Sequence, residues 1–162
     1  MIVVSNTSPI INLAAIKQLE LLQYLFGRII IPQAVYHEIA VRGYAQAGAT
    51  EVQTYRWFER NQVQDMALVR RLEQQLDTGE AEAIALAIEL QADLLLLDER
   101  RGRSIAKQYG LTVTGLLGIL VMAKQKGYTP AVKPLLHDLR TIAGFWIDQE
   151  LYTRVLASAG EF

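Results

Sequence analysis

Hydrophobic and polar positions along this chain fall into blocks whose period changes. The least ambiguous block is Leu94-Leu95-Leu96-Leu97, four apolar residues that end abruptly at Asp98. A short, continuously apolar run fits a strand buried on both faces, as in a parallel sheet. Residues 2–5 and 28–31 read as strands, and Leu111-Thr112-Val113 as a third or fourth parallel one. Between them the period becomes helical. Asn6-Thr7-Ser8-Pro9 holds helix-start residues ahead of Ile10, Ile11, Leu13 and Ala14. Further helices are predicted over 18–26, stopped by Gly27, and from Pro32 to about 40, ended by Arg42-Gly43-Tyr44. Two more run from Asp77 to about 90 and over 99–109, the second ended by Gly110. The stretch before Asp77 is weaker: a helix near 49–58, an extended piece near 59–64 and a helix near 65–76. The last helices, near 115–126, 130–142 and 148–158, have no strands between them and are expected over one side of the sheet. Strands alternating with helices predict an α/β fold with a parallel sheet covered on both faces.

Composition narrows the function classes. The 162 residues suit one domain spanning 1–162, and 51% hydrophobic with 20% charged is an ordinary globular balance. A formal net charge of -1 leaves no overall footprint for nucleic acid, so such binding needs a local basic patch. The absence of cysteine excludes disulfides, thiolate catalysis and zinc-thiolate sites, and is compatible with a cytoplasmic location. Two histidines, His37 and His137, are too few for a His-rich metal centre. Met1-Ile2-Val3-Val4 has no basic residue ahead of it and makes a poor signal peptide. The run Leu116–Met122 is too short to span a bilayer.

Ligands of open α/β sheets bind beyond the carboxyl ends of the strands, where Asp98 is expected. Asn6 follows the first strand in the same way. Both have a second reading as helix N-caps, as does Ser8. Glu38 falls about 60° to one side of the inward stripe set by Val35 and Ile39, at a boundary where a glutamate is usually just solvated. Glu80 projects from the apolar face that Ala83, Ile84, Ala87 and Ile88 define, whereas Glu82 points the other way, to solvent. A carboxylate on a buried face needs a partner or a metal. Asp77-x-x-Glu80 also resembles a capping box, in which Glu80 would fold back on its own helix start. Arg100, Arg101 and Arg103 could meet phosphates, or simply line a solvated first turn, and Lys107 belongs to the same question.

Five stretches together resemble the PIN-domain family, in its DUF3368 branch of small prokaryotic proteins. They are VVSNTSPIINLA (3–14), IIIPQAVYHEI (29–39), LDTGEAEAIALA (76–87), ADLLLLDERRGRSIAKQYGLTV (92–113) and TGLLGILVMAKQKG (114–127). They cover most of the chain in the right order. The resemblance implies a three-layer α/β/α fold with a central parallel sheet of four to five strands. It also implies a pocket of acids holding Mg²⁺ or Mn²⁺, which fall here on Asn6, Glu38, Glu80 and Asp98. Glu38, Glu80 and Asp98 would be catalytic, Arg100, Arg101 and Arg103 would contact RNA, and Ser8 would support the pocket. The sequence departs from the family at two points. Asn6 stands where active members normally carry Asp, and Leu97 replaces the serine or threonine often found before the last acid.

The implied function is a metal-dependent endoribonuclease, similar to the VapC-like toxins of type II toxin–antitoxin modules. Its implied partners are RNA, an antitoxin protein and a second copy of the chain. The alternative is a weakened nucleic-acid- or antitoxin-binding module, because Asn6 removes one negative charge from the metal cage. A third reading makes the acids plain helix caps in a structural domain, and the conformation of Glu80 decides it.

Overall fold

The computed structural model describes residues 1–43 and 45–162. The predicted helix end at Arg42-Gly43-Tyr44 therefore lies partly outside the described residues.

Five strands, β1 (Val3–Ser5), β2 (Ile29–Pro32), β3 (Phe58–Asn61), β4 (Leu94–Leu96) and β5 (Val113–Thr114), form one all-parallel sheet in the order β3-β2-β1-β4-β5. The register of the two central strands pairs Val3 with Leu94, Val4 with Leu95 and Ser5 with Leu96. Successive strand residues face opposite sides, and the core divides accordingly. Val3, Ile29, Ile31, Leu94 and Leu96 face one layer. Val4, Ile30, Leu95 and Leu97 face the other.

The first layer holds α1 (Thr7–Ala15), α2 (Glu20–Phe26), α8 (Leu116–Gln125), α9 (Lys133–Thr141) and α10 (Gln149–Ser158). The last three helices do pack over one side, as their uninterrupted succession predicted. The second layer holds α5 (Met66–Leu72), α6 (Thr78–Glu89) and α7 (Arg100–Gln108). α3 (Gln33–Tyr36) runs into a π-helical segment, His37–Arg42, and α4 (Ala49–Thr54) packs against that segment. The sequence expectation of an α/β fold with a covered parallel sheet holds.

Two corrections concern the strands. Residues 113–114 form the fifth strand, because the weak extended piece after α4 is itself a strand, β3. The predicted helix near 49–58 stops at Thr54, and Tyr55 turns extended with ψ 123°. β3 was hard to read because it is an edge strand, only partly buried and polar. Its Glu59 pairs with Arg28 at 3.0 Å, and Arg60 lies 4.1 Å over the Tyr36 ring. Among the described residues no helix is long and apolar enough to cross a membrane.

Candidate functional site

The strand order places β1 between β2 and β4. The chain leaves β1 toward β2 and β3, then returns to add β4 on the opposite side. Connections diverging from neighbouring strands open a crevice at their carboxyl ends, the usual ligand position in such sheets. Asn6 closes β1 there, its backbone N–H bonded to the Leu96 carbonyl of β4 at 2.9 Å. Asp98 stands two residues beyond Leu96.

The turn after β1 supplies three polar groups. Asn6 occupies the N-cap position of α1, yet its side chain makes no capping bond. Its Oδ1 is buried without a hydrogen-bond partner. An unsatisfied buried acceptor costs about 1–3 kcal/mol. Capping therefore does not explain this residue. The Thr7 hydroxyl donates to Glu38 Oε2 at 2.5 Å, and the Ser8 hydroxyl donates to Asp98 Oδ2 at 3.0 Å. One turn thus positions two carboxylates from distant parts of the chain.

Glu38 lies in the π-helical segment. Such turns are rare and occur often at functional sites. The wider turn breaks the regular 100° spacing on which the sequence estimate for Glu38 relied. Its carboxylate lies against Gly79, where an ideal Cβ would come within 2.6 Å of Oε1. Glu82 corrects a second expectation. It is partly buried, and its Oε1 accepts the Ala34 N–H at 3.0 Å. The start of α3 has no side-chain cap of its own, so Glu82 supplies one from α6 and ties the two acid-bearing segments together.

Glu80 is buried, at 7% exposure. Half of the predicted capping box forms, with the Glu80 N–H donating to Asp77 Oδ1 at 2.8 Å. The return bond from the Glu80 carboxylate to the Asp77 amide is not made among the described residues. The carboxylate instead reaches toward α7, where a Cβ on Gly102 would stand 2.8 Å from Oε2. Burial raises its pKa to about 7, and the neighbouring Asp77 carboxyl adds to the rise.

Asp98 does not cap the helix that follows it, because Glu99 holds that position. Its Oδ1 accepts the Leu116 N–H at the start of α8, at 2.7 Å. A Cβ on Gly115 would lie 2.8 Å from the same oxygen. Burial raises the Asp98 pKa, opposed by the Leu116 and Ser8 hydrogen bonds and by the charge of Arg103. Arg100, Arg103, Ser104 and Lys107 line a groove of about 440 Å³ beside Asp98. Arg101 is exposed and does not line it.

The four predicted positions thus lie in one connected patch. Thr7 links the β1 turn to Glu38, Ser8 links it to Asp98, Gly79 adjoins both Glu38 and Glu80, and Gly102 adjoins Glu80. Thr7 holds Glu38 and Ser8 with the Leu116 N–H holds Asp98, and among the described residues no three His, Asp or Glu side chains close on one point tightly enough to hold an ion as they stand. The donor set nonetheless suits a hard divalent cation. It consists of carboxylate and amide oxygens, one of them orphaned, and none of the three acids is in an ion pair among the described residues. Sequence reasoning did not find Thr7, nor the three glycines that clear space for the carboxylates. Helix-interior glycine at Gly102 was the available signal, since glycine there weakens a helix unless something needs the room.

In a comparison with curated proteins, none matches this chain. A family model, DUF3368, described as a PIN domain, matches residues 2–161. PIN domains are in general divalent-metal-dependent nucleases acting on RNA or other nucleic acid. A match over nearly the whole chain, joined to a five-stranded all-parallel sheet flanked by helices, means that this chain belongs to the PIN-domain family, in its DUF3368 branch.

Proposed function

We propose that the chain is a metal-dependent endoribonuclease in which Glu38, Glu80 and Asp98 are the catalytic carboxylates and Asn6 is a neutral fourth metal ligand. The observation that carries this reading is the orphaned Asn6 Oδ1, buried at the crevice whose carboxylates lack any cationic partner in ion-pair contact. When bound, Mg²⁺ or Mn²⁺ supplies positive charge to the phosphodiester oxygens and lowers the pKa of an attacking water. The chain does the positioning. Thr7 and Ser8 orient Glu38 and Asp98 through their hydroxyls. Glu80, with a pKa near neutrality, exchanges its carboxyl proton near pH 7 and, as the carboxylate, would be a ligand of the ion. Arg100, Arg101 and Arg103 contact RNA phosphates, Arg100 and Arg103 from the groove beside Asp98. The products are a 3′-hydroxyl and a 5′-phosphate.

In this reading the protein is the toxin of a type II toxin–antitoxin module, works as a homodimer and is held in check by an antitoxin encoded next door. The neutral Asn6 supports a second reading, a weakened module that binds RNA or antitoxin without cutting. One experiment separates them: cleavage of single-stranded RNA with Mn²⁺ against EDTA, using wild type, Glu80→Ala and Asp98→Ala. The nuclease reading expects cleavage by wild type alone. Equal degradation by all three proteins refutes the site assignment, and none by wild type favours the binding module.

A further inference from the structure

A second groove, of about 610 Å³, opens from the other side of Asp98. Asp98 and Arg103 line both grooves, so the two adjoin at these side chains. The larger one runs under the loop between α9 and α10. Its floor is apolar, with Leu117, Val121 and Val155, and its rim carries Phe145, Trp146 and Arg154.

Trp146 is 78% exposed. Leaving so large an apolar side chain in water forgoes substantial burial, and the loop is built to do so. Gly144 turns the backbone at φ 69°. The Phe145 N–H then donates to the Leu139 carbonyl at 2.8 Å. Ile147, beyond Trp146, is buried, and its carbonyl accepts from Arg140 at 3.0 Å. Both neighbours of Trp146 are anchored, so the indole is held outward on a fixed support.

Charge identifies the occupant. Among the described residues lining the two grooves, Arg100, Arg103, Lys107 and Arg154 face a single carboxylate, Asp98. The chain as a whole carries -1. A cationic track ending at an exposed aromatic is the combination that binds single-stranded nucleic acid: phosphates follow the cations and an unpaired base stacks on the ring.

We infer that Trp146 and Arg154 form a nucleobase subsite that holds one unpaired base of the RNA next to Asp98, and so restricts the enzyme to single strands. The inference rests on the nuclease reading for its choice of ligand. A duplex keeps its bases stacked and cannot offer one to the indole.

The test is fluorescence anisotropy in EDTA, where nothing is cut, with a labelled RNA of about twelve nucleotides, alone and annealed to its complement. Trp146→Ala is expected to weaken single-strand binding by roughly 5- to 150-fold, the equivalent of losing one stacked base. Trp146→Phe keeps most of the affinity, and duplex binding is unchanged in both variants. Arg154→Gln lowers the salt dependence of single-strand binding by about one phosphate contact. The inference is overturned if Trp146→Ala binds the single strand like wild type. It is also overturned if the variant loses single strand and duplex equally, or if it changes only the oligomeric state, which would make the surface a protein interface. Binding through Trp146 without any cleavage under Mn²⁺ sinks the nuclease reading and leaves the subsite standing. Cleavage indifferent to Trp146→Ala does the reverse.

Discussion

Replacing Gly102 by alanine tests how far the position of one carboxylate matters. Gly102 is buried in the first turns of α7, where alanine gains about 1 kcal/mol in helix propensity over glycine. Against this, the new Cβ would stand 2.8 Å from Glu80 Oε2 and 3.1 Å from Leu97 Cδ2. Ordinary van der Waals contact lies near 3.5–4.0 Å. The Glu80 carboxylate ends a flexible side chain and retreats by roughly half an ångström or more. Leu97 is fully buried and yields by a few tenths, an overpacking cost of about 1 kcal/mol. The two stability effects nearly cancel, so Tm should move by less than about 4 °C. Function should not be spared, because a misplacement of about 1 Å at a catalytic group costs on the order of 100-fold.

The assay is the Mn²⁺-induced rise in Tm, read together with RNA cleavage. At a concentration 100 times its Kd, an ion stabilises the wild type by about 2.7 kcal/mol, or roughly 5–11 °C for a chain of this size. A variant whose Kd is about 100-fold weaker gains only about 0.4 kcal/mol at the same concentration. The control is Glu80→Gln, alone and combined with Gly102→Ala. If alanine acts by displacing Glu80, it adds nothing to Glu80→Gln. A Gly102→Ala protein with the wild-type Mn²⁺ response and cleavage rate would refute the reasoning.

Three further outcomes are expected. Asn6→Asp places a charge at a buried, unpartnered position, so the metal-free protein loses about 3 kcal/mol while Mn²⁺ affinity and cleavage rise; urea melts with and without Mn²⁺ check both signs. The metal-free protein also loses stability as pH rises from about 4.5 to about 7. Across that window the unfolded Glu80 gives up its proton while the folded one keeps it. Glu80→Gln flattens that part of the curve, and an unchanged slope would count against the burial of Glu80. Glu82→Ala removes the cap on α3 and should cost about 1 kcal/mol by urea melting, with a larger loss of cleavage than of stability, because α3 leads into the turn carrying Glu38.

Much of this was legible in the sequence, for identifiable reasons. Leu94–Leu97 and Ile29–Ile31 are buried on both faces, so they contain almost nothing but apolar residues and announce themselves. Glu80 stood out because it interrupts an apolar helical face. β3 did not, since an edge strand with Glu59, Arg60 and Asn61 carries little apolar signal. Glu38 is half-buried beside the buried Val35 and Ile39, at the boundary their spacing predicted, whereas the π-helical turn that carries it, packed against α1 and α4, has no signal in the local residues. Glu82 looked solvent-facing because its partner, the Ala34 amide, belongs to a segment 48 residues away. The role of Thr7 was hidden for the same reason: a hydroxyl beside a helix start looks like a cap until its distant acceptor, Glu38, is placed.

The pairing of β1 with β4 has a consequence for synthesis. Ser8 and the carboxylate it holds, Asp98, are 90 residues apart. At ordinary elongation rates the ribosome takes roughly 5 to 18 seconds to cover that interval. During it one edge of the first strand waits without its neighbour, and the crevice has only one wall. A nascent or prematurely terminated chain that stops short of β4 therefore lacks Asp98 and the second wall of the crevice. The four candidate positions come together only after most of the polypeptide has been made.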